Sequence, residues 1–267
     1  MSATRPSLAA AIRAALLTAE PTAKVFAARD LARNWRQGRL EWSFDIAMPD
    51  RPAWPDSPAL LPPNQMPRRG RGGSERSRLA LWHALAHIEF VAIDLALDIV
   101  GRFGAIMPRD FTDDFLSVAA DEAMHFALLD RKLRSLGSHY GALPAHAGLW
   151  ESAQETRHDV MARLAIVPMV LEARGLDVTP ATRDRVAELG DEHGARILQR
   201  ILDDEIRHVG FGTKHFVRRA QALEETPQNH WKALVESHFR GTLKPPFNDS
   251  ARLAAGLSRD FYASLAS

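Results

Sequence analysis

Asp121-Glu122-Ala123-Met124-His125 and Asp204-Glu205-Ile206-Arg207-His208 are the stretches from which the fold is read. In each, Glu and His stand at i and i+3, which puts both side chains on one helix face and within reach of one ion. A lone Glu-x-x-His is weak evidence, and the chain carries its own control. Glu155-Thr156-Arg157-His158 has the same spacing but no preceding Asp and no counterpart, and it reads as solvent-exposed. What distinguishes the other two is their partners. Glu89 lies within Ala86-His87-Ile88-Glu89-Phe90-Val91-Ala92-Ile93, and Glu172 directly follows Ile166-Val167-Pro168-Met169-Val170-Leu171. Both are carboxylates where the apolar pattern demands core. A buried carboxylate has to be paired, protonated or metal-bound, because ionised and alone it is costly. Glu89 to Glu122 and Glu172 to Glu205 are each 33 positions apart. The chain therefore reads as two helical hairpins, each a helix with Glu followed by a helix with Asp-Glu-x-x-His. Facing each other, they would supply the four carboxylates and two imidazoles of a dinuclear bundle site.

On this reading Glu89, Glu122 and His125 hold one metal ion, and Glu172, Glu205 and His208 the other. A carboxylate-rich set with two nitrogens suits iron, as Fe/Fe or Mn/Fe. Zinc favours fewer ligands in a tetrahedral site, and calcium does not normally recruit His. Four carboxylates also balance two divalent ions. Asp121 and Asp204 are expected to accept the second N–H of the metal-bound imidazoles, each serving the His of the opposite hairpin. The competing reading leaves them on an exposed acidic face.

Outward from these motifs, apolar spacing follows three and four rather than two, so the expected class is all-α. The reading is a four-helix bundle over 75–222, with helices at about 75–101, 110–136, 150–174 and 179–222, the last broken around Gly190 or Gly194. Gly101, Gly137 and Gly175 are read as helix stops, and Thr179-Pro180 as a helix start. Before the bundle, residues 1–74 comprise two short helices over about 6–36 and an extended arm at 47–73 that holds seven prolines. After it, 223–267 reads as a C-terminal extension of two short helices, about 226–240 and 249–265.

A formal charge of +1 argues against nucleic acid or an anionic membrane as the main partner. The basic cluster Arg68-Arg69-Gly70-Arg71-Gly72-Gly73 lacks interleaved aromatics and reads as a solvated loop. The absence of cysteine removes disulfides, thiolate zinc sites and iron–sulfur clusters together. No segment reaches the roughly 20 apolar residues needed to span a bilayer, and the N-terminus lacks signal-peptide character. A cytoplasmic protein is expected.

At His83-Ala84-Leu85-Ala86-His87-Ile88-Glu89, Asp121–Phe126, Leu171–Asp177 and Asp204–Val209 the chain resembles the ferritin-like superfamily of di-iron carboxylate proteins. Within that superfamily, residues about 40–260 resemble a bacterial family labelled DUF455. The resemblance implies the bundle and the metal pair, and carries ligand roles to the six residues named. The function it suggests is a di-iron or manganese–iron oxidoreductase that activates dioxygen or peroxide, as a hydroxylase or monooxygenase. Its expected partners are dioxygen, a small-molecule substrate and an electron donor, with a homodimer left open. The alternatives are a ferroxidase or iron-handling protein, and a tRNA-modifying hydroxylase. Tyr140 and Tyr262, the two tyrosines, stand away from the ligands in sequence, which argues against a stored tyrosyl radical. His83 and His87 read as hydrogen-bonding core residues. His139, Tyr140 and His146 lie in the connection between hairpins.

Overall fold

The computed structural model of the protein describes residues 5–62, 65–66 and 73–266. The arginines at 68, 69 and 71 lie outside the described residues. The chain is all-α: among the described residues there is no strand, only isolated bridges such as Ser7 to Glu41 and Leu60 to Ala145. No described helix is long and apolar enough to cross a membrane. Two compact units are formed, Met1–Trp150 and Glu151–Ser267.

In the first unit, α1 (Leu8–Leu16) is capped by Ser7, which accepts from Ala10 N. Helix α2 (Pro21–Arg36) opens on a proline, and the Glu20 carboxylate caps it by accepting from Thr22 N and Ala23 N. The long helices α3 (Glu75–Phe103) and α4 (Arg109–Ser135) pack on each other as a hairpin. Gly137 ends α4 as expected. Its φ of 72° lets Gly137 N and Ser138 N turn back to Arg134 O and Leu133 O.

Gly101, by contrast, does not stop α3. The helix runs on to Phe103, because the glycine is there to admit a neighbour: a Cβ at Gly101 would overlap Met48, and one at Gly104 would overlap Phe44. Met48 belongs to the proline-rich arm and Phe44 stands just before it, and the arm is pinned to the helices. Arg102 Nη2 donates to Pro49 O at 2.6 Å, Ala53 N to Leu16 O at 2.9 Å, and Trp54 Nε1 to Asp94 at 2.7 Å. Further on, Leu61 N and Ala145 N exchange hydrogen bonds with Ala145 O and Ala59 O. Side-chain donors and edge pairing thus satisfy a backbone that proline keeps out of regular structure.

In the second unit, α5 (Gly148–Glu155, begun in the first) precedes an unbroken rod. The rod comprises α6 (Val160–Ile166), a π-helical turn (Val167–Glu172) and α7 (Ala173–Glu188). The expected stop at Gly175 and start at Pro180 are therefore corrected: both residues lie inside α7. A proline within a helix leaves the carbonyl four residues earlier without its N–H donor. Here that carbonyl is Leu176 O, and Asn248 Nδ2 donates to it at 3.1 Å. The tail so serves as the partner that Pro180 cannot be. Beside this contact, Asp177 accepts from Arg252 Nε at 2.8 Å and Nη2 at 2.7 Å, in a buried pair. The break expected around Gly190 or Gly194 falls at Gly190 (φ 82°), after which Asp191 caps α8 (Glu192–Ala222). Three further helices, α9 (Pro227–His238), α10 (Asp249–Ala254) and α11 (Arg259–Tyr262), complete the unit.

Pro168 is the second residue of the π-helical turn, and its ring needs room on α8. Gly212 provides it, since a Cβ there would overlap Pro168. A Gly212→Ala variant should lose stability by about 1–3 kcal/mol through overpacking, despite alanine's better helix propensity. Gly175, with nothing within 4 Å of an added Cβ, is the matched control. There Gly175→Ala should gain up to about 1 kcal/mol. Denaturant midpoints of the two variants are expected to move in opposite directions.

Candidate metal centre

Glu89 comes from the middle of α3, among the buried Ala86, Phe90, Val91 and Ile93. Glu122 and His125 come from one face of α4, beside the small Ala119 and Ala123. The hairpin brings all three together. His125 Nδ1 lies 3.2 Å from Glu89 Oε2 and 3.4 Å from Glu122 Oε2, and one donor atom from each residue lies within 4.8 Å of the others. Glu122 and His125 are fully buried, and Glu89 is 5% exposed. Burial holds the Glu89 carboxyl well above the usual range. The facing Glu122 pushes it the same way, and the hydrogen bond from His125 only partly opposes this. Two desolvated carboxylates and one imidazole, turned toward a common point, are what a divalent cation would relieve. The oxygen-rich donor set fits such an ion, and this buried group could bind one.

In the second unit, Glu205 and His208 share a face of α8, with His208 Nδ1 3.7 Å from Glu205 Oε1. Both are buried. Glu172 is the last residue of the π-helical turn, which packs against α8. A π turn inside an α rod is uncommon and recurs at functional sites. Asp204 accepts from Arg200 Nε at 2.7 Å and Arg207 Nη2 at 3.2 Å on its own helix, while Asp121 is half-buried on α4. The control motif behaves as read: Glu155 and His158 are exposed, with Glu155 paired to Arg240 and His158 accepting from Arg157. Arg174, next to Gly175, anchors the tail by donating to Lys244 O at 2.7 Å.

A second buried cluster was legible in the sequence only in part. Tyr140, from the loop after α4, is buried, with its hydroxyl 2.9 Å from His87 Nδ1, while His87 Nε2 lies 3.0 Å from His146 O. The Tyr140 ring stacks on His83 and packs on Phe90 and Phe126, the residues that follow Glu89 and His125. His83 Nε2 accepts from Gly141 N at 3.0 Å, so the loop is held by an unprotonated ring nitrogen. His83 and His87 are the hydrogen-bonding core residues expected, but their partner Tyr140 was not legible, because a polar cluster spread over 83–146 has no local spacing.

Burial pushes the pKa of both histidines down to about 4, with His139 adding to the effect at His83 and the bond to His146 O opposing it at His87. Below 6.5 the unfolded chain then binds protons that the folded chain refuses. Stability present above that pH is lost as pH falls through the window from 6.5 to about 4. Each ring can cost up to about 3 kcal/mol there. A His83→Gln variant, which keeps an acceptor for the loop amides, should show a shallower loss of thermal midpoint across the window. An unchanged slope would contradict this.

A family model described as "Protein of unknown function (DUF455)" matches residues 17–263. An uncharacterized protein of Haemophilus influenzae is 38% identical over 261 residues, covering 93% of this chain and 90% of that protein. No solved structure matches the chain significantly.

Proposed function

The chain belongs to the DUF455 family, and from this premise we propose that it is a dinuclear-metal oxidoreductase built as a ferritin-like four-helix bundle. Glu89, Glu122 and His125 would hold one ion, and Glu172, Glu205 and His208 the other. The observation that carries the reading is the buried triad of the first unit, where His125 Nδ1 lies 3.2 Å from Glu89 and 3.4 Å from Glu122, and where burial and the facing Glu122 hold the Glu89 carboxyl well above its usual range. The second unit supports it with the same Glu-x-x-His face on α8, buried in the same way.

Iron, or manganese with iron, would supply one-electron chemistry toward dioxygen or peroxide. The protein's own contribution is to bind, orient and exclude water. Helix packing fixes Glu122 and His125 one turn apart, and the apolar residues around Glu89 keep solvent from the donor atoms. Asp121 and Asp204 are proposed to steady the imidazoles through their second N–H. An electron donor and an organic substrate complete the proposed reaction, which is of the hydroxylase or monooxygenase kind in a cytoplasmic setting.

Metal analysis of protein purified without oxygen, followed by dioxygen addition under optical and Mössbauer observation, tests this. Two ions per chain that oxidise on mixing are expected. A Glu122→Ala, Glu205→Ala double variant that kept both ions would sink the site assignment. Mineral growth in a large assembly, with no organic oxidation, would favour the iron-handling alternative.

A further inference from the structure

The proposed metal chemistry leaves the buried phenol of Tyr140 without a task, and its surroundings suggest one. The hydrogen-bond pattern fixes where its proton points. His146 O is a carbonyl and can only accept, so His87 Nε2 carries the hydrogen of that 3.0 Å contact. The neutral ring then presents a lone pair at Nδ1, and the Tyr140 O–H donates into it at 2.9 Å. A phenol is thus aimed, proton first, at a base.

The rest of the shell is aromatic. The Tyr140 ring lies parallel to His83 and His87, with centroids 5.6 and 6.1 Å away, and packs on Phe90 at 5.2 Å and Phe126 at 5.1 Å. Phe90 follows Glu89 on α3, and Phe126 follows His125 on α4. The ring therefore rests on the neighbours of two proposed ligands, one from each helix of the hairpin. It is 9% exposed, so a radical formed on it would be screened from solvent.

We infer that Tyr140 is a redox-active residue that gives one electron to the metal centre while its proton passes to His87. The inference rests on the proposed metal reading. In the step, the Tyr140 O–H bond breaks and one electron leaves the phenol for a metal ion oxidised by dioxygen, which is reduced by one. The proton forms a bond to His87 Nδ1. The products are a neutral phenoxyl radical and an imidazolium that still donates through Nε2 to His146 O. Moving the proton with the electron avoids a cationic phenol, which a desolvated site would penalise. Return of one electron from the external donor, and of the proton from His87, restores the phenol.

With two tyrosines in the chain, assignment is direct. The metal-free full-length protein is treated with hexachloroiridate as a one-electron oxidant and examined by electron paramagnetic resonance. A tyrosyl signal is expected that survives Tyr262→Phe and vanishes in Tyr140→Phe. In His87→Gln its lifetime should fall about tenfold, the worth of one hydrogen bond. A signal that persists in Tyr140→Phe, or that arises only from Tyr262 or tryptophan, overturns the inference whether or not metal binds. The protein is next loaded with iron(II) and mixed with dioxygen, where the same signal is expected. Iron that binds and oxidises without producing it overturns the coupling to Tyr140. Failure to bind iron at all overturns the metal reading, and with it the electron's destination, while the first result still decides the phenol.

Discussion

Replacing Glu122 by Gln is expected to remove the ion from the first unit and, at the same time, to make the metal-free protein harder to unfold. Glu122 is fully buried opposite Glu89, whose carboxyl is held far above its usual range by burial and by this neighbour. Burial and the facing carboxyl both work against the charged form of Glu89, and the hydrogen bond from His125 only partly offsets them. An uncharged amide of the same shape ends the repulsion and lowers the desolvation cost, by about 1–3 kcal/mol. With iron(II) present the order should reverse. Loss of one carboxylate ligand should weaken binding at least about 100-fold, so metal would stabilise wild type and leave the variant unmoved. Thermal unfolding of both proteins, with and without iron(II), checks the crossover. A metal-free variant less stable than wild type, or one that still gains from iron, would remove the triad from consideration as a binding site.

The second large effect concerns Lys24→Met. Lys24 on α2 is fully buried, bonded to Asp94 on α3 and, at 3.3 Å, to Leu16 O, while Trp54 of the arm holds the other Asp94 oxygen. Burial pushes the Lys24 amine down and raises Asp94 to about 6, although each group moves the other in the opposite direction. Desolvation outweighs attraction here, so the pair's presence adds little net stability. Its rupture is another matter. Removing the amine strands a buried carboxyl, which costs about 3–5 kcal/mol. The double variant Lys24→Met, Asp94→Asn keeps an acceptor for Trp54 and should recover more than half of that loss. Urea unfolding of the three proteins decides it. A single variant as stable as wild type would mean that Asp94 finds another partner.

What was legible in the sequence divides along physical lines. Glu89, Glu122 and His125 could be paired from sequence because their signal is local: i and i+3 on one helix, and a carboxylate in an apolar run. Gly137 was legible as a stop because a positive φ is the commonest reason for a glycine past a helix end. Gly101 and Pro180 misled for a single reason. What a glycine or proline does in a helix depends on what lies beside it, and Met48 and Asn248 are far off in sequence. The anchoring of the arm was not legible because its pins are single hydrogen bonds to Leu16, Asp94, Arg102 and Ala145, scattered along the chain. Tyr140 escaped on the same ground: its distance from the ligands was counted along the chain, while its ring returns through space to Phe90 and Phe126.

The turn at Val167–Glu172 holds one residue more than an α-helix would over the same height. Helical position advances by about 100° per residue, so an extra residue in an α-helix would turn everything beyond it by that angle, and the wider turn takes up this slip between the two halves of the rod. Deleting one residue there would restore ordinary α geometry and leave Val160–Ile166 and Ala173–Glu188 in their present mutual phase, without breaking the rod. Elsewhere in a packed helix a single insertion or deletion misaligns the whole buried stripe. Here the slack is confined to six residues that end on Glu172. In this rod, the bearing of that carboxylate can change with the gain or loss of one amino acid, independently of everything that keeps the helix in place.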